Sequence, residues 1–285
     1  MSDEARSAAT AELEHIRALV ATNDNLIISS EMFQQANPDL VAAVFPPEKT
    51  RVIVYIREQL DYMISAYTQR IQTTVDRQPF VNFAIKFDPD YLYFLDAWAR
   101  AFGSDNFDVR IYDRSCLEGN DIRMDFLSAI GLDPKLFDFG AGGKQQGNPT
   151  IGPELVEFKG ALNALAPEPV HREFLIFDLL AELAPRFPRL QTSSRFAVLF
   201  RDRFRASNRA VRQRYLGSKL FPKHQIEGPP TRVNRDEAID TSLRALREIA
   251  PRAYDGLANY LEKAEVAKLE LMLPDDWPSA EAELE

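Results

Sequence analysis

Histidine and cysteine are nearly missing from this chain, with three of the first and one of the second in 285 residues. The single Cys116 leaves no internal disulfide framework and no cysteine-rich metal site, and it fits a reducing, cytoplasmic compartment. His15, His171 and His224 stand far apart in sequence. None has the i,i+3 or i,i+4 spacing that brings imidazoles onto one ion, so no metal is expected. Long apolar runs are lacking too: nothing approaches the roughly 18–20 residues that span a bilayer. The N-terminus carries acids where a signal peptide has its apolar core. Basic residues are outnumbered, 34 against 43 acids for a net charge of −9, which argues against a general nucleic-acid binder.

What is present is ordinary globular material, 45% hydrophobic and 27% charged, in a chain long enough for a sizeable core. No Gly/Ser/Pro-rich linker divides it. The expectation is one domain over residues 1–285, with an α/β part at 1–135, a helical part at 136–270 and an acidic tail at 271–285. Leu13, Ile16, Leu19 and Val20 recur at helical spacing and predict a helix over 4–22. Leu26-Ile27-Ile28 reads as a short apolar strand ending at Ser29-Ser30-Glu31. Arg51–Ile56 and Phe107–Tyr112 read as two further strands, the former unalternating, as parallel strands covered on both faces tend to be. Helices are expected at 38–44, from Leu60 to Ile71, over 89–102 and near 120–130. Strands alternating with helices imply an α/β fold with a parallel sheet. After Tyr112 the pattern is helical, over 152–165, 169–186, 195–216 and 235–269.

Arg57 stands where a buried strand ends, and Ser65 lies two turns into the helix that follows. Strand carboxyl ends in parallel sheets face the ligand crevice. A helix N-terminus offers free N–H groups there, and an arginine adds a bidentate phosphate donor. The alternative is that Arg57 pairs with a surface carboxylate and Ser65 is a small packing residue.

The stretch RVIVYIREQLDYMISAY resembles the 3′-phosphate-binding segment of sulfotransferases that use 3′-phosphoadenosine 5′-phosphosulfate (PAPS). That segment is an apolar strand, an arginine, seven residues, a serine and then an aromatic. Arg57, Ser65 and Tyr67 fall on it in register, with Gln59 replacing the usual proline. NLIISSEMF, DVRIYDR, QGNPTIGPELVEF and SNRAVRQRYLG resemble, in the same order, stretches of bacterial members that act on carbohydrate. The resemblance covers about 25–220. It implies a P-loop-like three-layer parallel sheet in the N-terminal half with a mainly helical C-terminal half. It also implies PAPS as co-substrate, no metal, and a hydroxyl acceptor such as a glycan.

Such enzymes begin with a strand and a phosphosulfate-binding loop, whose N–H groups and lysine hold the 5′ end and stabilise the leaving phosphate. This chain contains no such run. Gly140–Gln146, GAGGKQQ, fails the phosphate-loop spacing and follows no strand, so it reads as a loop. On this resemblance the first strand and loop are missing, and the chain is either truncated or a degenerate relative.

Glu31 occupies the position of the family's catalytic base, where a carboxylate would take the acceptor hydroxyl's proton. Read from the residues alone, Ser29, Ser30 and Glu31 equally make a helix cap. Arg201, Arg205, Arg209 and Arg212 are spaced four, four and three, which predicts one basic helical face. They could meet an anion, or acids of the chain itself. Arg212 matches a recurring family position and stands as a second 3′-phosphate contact. The leading expectation is thus sulfuryl transfer from PAPS, with Glu31 catalytic and Arg57, Ser65 and Arg212 binding the co-substrate. The alternative is a non-catalytic nucleotide- or glycan-binding module. A small-molecule kinase is disfavoured, because no Gly-Lys-Ser/Thr run exists.

Overall fold

The computed structural model describes residues 3–139, 150–165, 175–217, 219, 221–222 and 233–263. The Gly140–Gln146 run and the acidic tail lie outside these residues. Among them the helices are α1 (Asp3–Thr22), α2 (Pro38–Ala42), α3 (Gln59–Thr73), α4 (Phe80–Lys86), α5 (Tyr91–Phe102) and α6 (Ile122–Ala129) in the first half. The second half has α7 (Pro153–Leu165), α8 (Ile176–Leu183), α9 (Ser194–Arg203), α10 (Arg205–Val211), α11 (Arg235–Ile249) and α12 (Pro251–Lys263). The strands are β1 (Val52–Ile56) and β2 (Phe107–Ile111). No described helix is long and apolar enough to cross a membrane. The chain forms two compact units. One comprises Met1–Ile56, Asp90–Gly131 and Ala206–Leu220; the other comprises Arg57–Pro89, Leu132–Arg205 and Phe221–Glu285.

In the first unit β1 and β2 pair in parallel, from Val52 opposite Phe107 to Ile56 opposite Ile111. Tyr112 N–H extends the ladder to the Ile56 carbonyl at 2.8 Å. The P-loop-like three-layer parallel sheet expected from the sequence does not form: two paired strands are the whole sheet among the described residues. The predicted strand at Leu26–Ile28 is irregular chain, and its side chains are 42%, 62% and 43% exposed. Three apolar residues hold too few backbone pairs to make a strand without a neighbour to receive them. With so small a sheet the burial on both faces expected of Arg51–Ile56 fails as well. Phe107, Val109 and Ile111 are buried while Asp108 and Arg110 face away, and in β1 only Ile56 is buried.

Helix α5 starts at Asp90, whose carboxylate accepts from Leu92 N–H at 2.9 Å, and stops at Gly103, which adopts φ +84°. Its buried face is Leu95, Trp98, Ala99 and Phe102, with Phe102 stacked on Trp98 at 5.7 Å and Phe33 edge-on to Trp98.

The opposite side of this sheet carries a polar clasp. Tyr55 and Arg110 are register partners, and both reach Asp125 on α6. Arg110 binds it through Nε at 2.5 Å and Nη2 at 3.0 Å, Tyr55 through its hydroxyl at 2.8 Å, and Glu118 N–H at 3.0 Å. Burial pushes the Asp125 carboxyl up. The Arg110 guanidinium, the Glu118 N–H and the Tyr55 hydroxyl outweigh that and hold it below the usual carboxylate range.

In the second unit α3 buries Leu60, Met63, Ile64, Tyr67 and Ile71. Tyr67 and Ile71 belong to a core with Leu155, Phe158 and Leu162 of α7, Leu180 and Leu183 of α8, and Ile239 and Leu246 of α11. Leu60, Met63 and Ile64 pack instead with Ala84, Ala197, Phe200 and Phe204. The short α4 was not legible in the sequence; its Phe80 bridges Tyr67 at 5.2 Å and Phe196 at 5.5 Å. The predicted single helix over 195–216 is broken. α9 ends at Phe204, whose φ/ψ of −105°/6° leaves the helix, and α10 gives way to a π-turn at Arg212–Leu216.

Candidate functional site

The corner after β1 is built by residues 57–65. Arg57 is the first residue past the strand, and α3 begins two residues later. Glu58 is the N-cap of α3: one carboxylate oxygen accepts from Asp61 N–H at 3.1 Å. That satisfies a donor no helical carbonyl can reach. The other oxygen accepts from Arg201 Nε on α9, also at 3.1 Å, in a largely buried ion pair. Arg57 Nε donates to the carboxylate of Asp61, four residues on, with the two side chains 30% and 19% exposed. Ser65 stands a further turn along the same strip of α3 and is half-buried; its carbonyl accepts from Thr68 Oγ1 at 3.1 Å.

This corner therefore holds two arginines and two carboxylates in alternating pairs, Arg57 with Asp61 and Arg201 with Glu58. Its charges are matched in the absence of a ligand. An anion at Arg57 has to exchange with the Asp61 carboxylate.

Glu31 and Arg212 lie in the first unit, Arg57 and Ser65 in the second. Glu31 opens a 3-10 turn, Glu31–Gln35, and is exposed. The cap of that turn is Ser30, whose hydroxyl oxygen accepts from Met32 N–H at 3.1 Å. Because Leu26–Ile28 is not a strand, Glu31 does not stand at a strand end, as the sequence predicted. Arg212 is exposed and opens the π-turn. Within that turn, Arg214 and the Tyr215 hydroxyl both bind Asp96, so the turn is anchored beside Arg212.

The predicted basic face is divided by the break at Phe204. Arg201 pairs with Glu58 and Arg205 with Asp202, so the chain's own acids take these two. Arg203, outside the predicted stripe, lies over the Phe200 and Phe204 rings at 5.3 and 5.2 Å.

Lys159 of α7 is a polar residue that sequence reasoning missed. It is fully buried. Its ammonium donates to the Thr74 carbonyl just past the C-terminus of α3, at 2.7 Å, and to the Asn163 side chain. Asn163 in turn donates to the Asp76 carbonyl at 2.6 Å. A cation at a helix C-terminus offsets its orphan carbonyls, and the i,i+4 spacing of Lys159 and Asn163 is the one signal the sequence offered. Burial pushes the Lys159 pKa down to about 8, against about 10.4 in the unfolded chain. Between these values the unfolded chain holds more protons, so stability rises with pH there. The stability of the wild type relative to Lys159→Met should climb from about pH 8 to about pH 10, by at most roughly 1.4 kcal/mol per pH unit. Urea unfolding of both proteins across that range measures it, and a flat difference would show that Lys159 does not titrate there.

No family model matches the chain, and no solved structure matches it. Over 212 residues it is 25% identical to an uncharacterized protein of Archaeoglobus fulgidus, covering 71% of this chain and 57% of that protein. The chain thus spans little more than half the length of that relative.

Proposed function

We propose that this protein binds a nucleotide carrying a 3′-phosphate, of the PAPS type, and serves sulfuryl transfer to a hydroxyl acceptor such as a glycan. The observation that carries the reading is the placement of Arg57 immediately after a parallel strand, with Ser65 on the same strip of the helix it leads into. There Arg57 offers a forked donor to a phosphate, Ser65 adds a hydroxyl, and the N-terminal half of α3 favours negative charge. Phosphate carries more charge than Asp61 and can take both guanidinium edges, so exchange is feasible but weak. The roles of proton acceptor for Glu31 and second phosphate contact for Arg212 rest on the sequence resemblance, and each is tested by its own substitution.

A second reading, nucleotide binding without transfer, is favoured by the exposure of Glu31 on a 3-10 turn. A base facing bulk water is neither desolvated nor oriented for its task. Incubation with radiolabelled PAPS and a mixture of glycan acceptors separates the two readings. Label on an acceptor that is lost in Glu31→Gln supports transfer, while nucleotide binding without label supports the second.

The binding itself is tested by thermal shift with adenosine 3′,5′-bisphosphate. A ligand at about one hundred times its dissociation constant stabilises by roughly 2.7 kcal/mol, a rise of roughly 5–10 °C for a protein of this size. Less is expected at millimolar nucleotide. Arg57→Ala should abolish the shift. Asp61→Asn, which releases Arg57 from its counter-ion, should tighten binding about tenfold, the equivalent of about 1.4 kcal/mol. A stronger shift with ATP than with the 3′-phosphorylated nucleotide, or an unchanged shift in Arg57→Ala, refutes the reading.

A further inference from the structure

Helices α11 and α12 follow one another through Ala250 and pack together. Between them runs a groove of about 490 Å³ lined by Asp240, Leu243, Arg244, Arg247 and Tyr254. It is open to solvent, with charged side chains on its rim. Among the described residues, the polar groups around it are not used up by one another. Arg247 lies with its guanidinium carbon 5.7 Å from the centre of the Tyr254 ring. This fixes the cation against an aromatic surface. Arg244 turns back along its own helix to the Asp240 carbonyl at 3.4 Å and the Thr241 hydroxyl at 3.3 Å. Bonds of that length are weak. An acid four residues before an arginine usually receives the guanidinium on its carboxylate. Here the backbone carbonyl receives it, and the Asp240 carboxylate is left at the groove. Glu248, the acid next to Arg247, is taken by Arg186 at 2.7 Å.

We propose that this groove binds a phosphate monoester carried on a hydroxylated ring, that is, a sugar phosphate. Arg244 and Arg247 take the phosphate. Arg247 is held in place by Tyr254, and Arg244 swings off its two weak bonds, to the Asp240 carbonyl and the Thr241 hydroxyl. The apolar face of the ring lies on Tyr254 and Leu243, and Asp240 accepts from the ring hydroxyls. An unsubstituted phosphate would use only the arginines, and an aryl phosphate would leave Asp240 desolvated with nothing to accept. The groove is formed by helices other than α3, so the proposal does not depend on the nucleotide reading.

Calorimetric titration of the full chain with glucose 6-phosphate, phenyl phosphate and inorganic phosphate tests it. Saturable binding of glucose 6-phosphate is expected, tighter than either comparator. The double variant Arg244→Ala/Arg247→Ala should weaken it about tenfold or more, and Arg244→Lys/Arg247→Lys, which keeps the charge but loses the fork, by less. Asp240→Asn should narrow the preference over phenyl phosphate, and Arg57→Ala should change nothing. No saturable binding at millimolar sugar phosphate, equal binding of phenyl or inorganic phosphate, or an unchanged affinity in the double alanine variant overturns the proposal. So does a loss of binding in Arg57→Ala.

Discussion

Asp125→Ala should lower the unfolding midpoint by roughly 6–12 °C. The carboxylate is all but fully buried and receives four hydrogen bonds, two from Arg110, one from Tyr55 and one from Glu118 N–H. Removing one partner of a buried pair leaves the other charged and uncompensated, which typically costs 3–5 kcal/mol. Arg110 keeps a 3.3 Å contact with Asp108 and is partly exposed, so the lower figure of about 3 kcal/mol applies. At 2–4 °C per kcal/mol that gives the stated drop. Tyr55→Phe removes one bond of the four and should cost about 1 kcal/mol. The pH dependence carries a sign as well. Asp125 is held below its unfolded value, so its contribution is complete above about pH 4 and fades as pH falls through the folded value. The gap between wild type and Asp125→Asn should therefore be constant near neutrality and close in acid. Loss of less than 1 kcal/mol in Asp125→Ala would show that the clasp is decorative.

Gly152→Ala should cost a similar amount by a different route. Gly152 is buried at the start of α7, and its carbonyl accepts from Val156 N–H at 3.0 Å. A Cβ added there would run into the Pro188 carbonyl oxygen, with the Phe187 Cβ at 3.2 Å behind it. The obstacle is backbone, which cannot swing aside as a side-chain tip would. Overpacking of this kind costs about 3 kcal/mol, a fall of roughly 6–12 °C in the midpoint. Gly160, also in α7, is the matched control. A Cβ there meets nothing within 4 Å, so Gly160→Ala should stabilise by up to about 1 kcal/mol through helix propensity alone. Equal effects of the two substitutions would contradict the close approach at Pro188.

These contrasts mark what the sequence made legible. The runs at Val52–Ile56 and Phe107–Ile111 are long enough and apolar enough to declare themselves, and both are strands. The alternation in FDVRI also carried the one-sided burial of β2. Leu26–Ile28 failed because pairing, not composition, makes a strand. The helix over 195–216 was misread because its break at Phe204 has neither glycine nor proline to announce it. At the candidate site, the position of Arg57 was readable. So was its engagement by Asp61, since the i,i+4 spacing was in plain view. The Glu58–Arg201 pair joins residues 143 apart, and Lys159 meets a carbonyl 85 residues away. No local pattern reveals such contacts.

The chain passes between the two units five times before it ends, since each is assembled from three separate stretches. During synthesis this imposes an order. β1 leaves the ribosome long before its partner, because Val52 waits for Phe107, and the intervening stretch includes Arg57–Pro89, which belongs to the other unit. The first unit is complete only when Leu220 has emerged, and the second only with the remainder of the chain. Closing a sheet across so long a separation is slow and leaves an unpaired apolar strand in the interval. Neither unit can be freed by a single cut, and fragments ending between Ile56 and Phe107 will carry β1 without the strand that pairs with it. Expression of such fragments should yield aggregates, the expected fate of an open strand edge at high concentration.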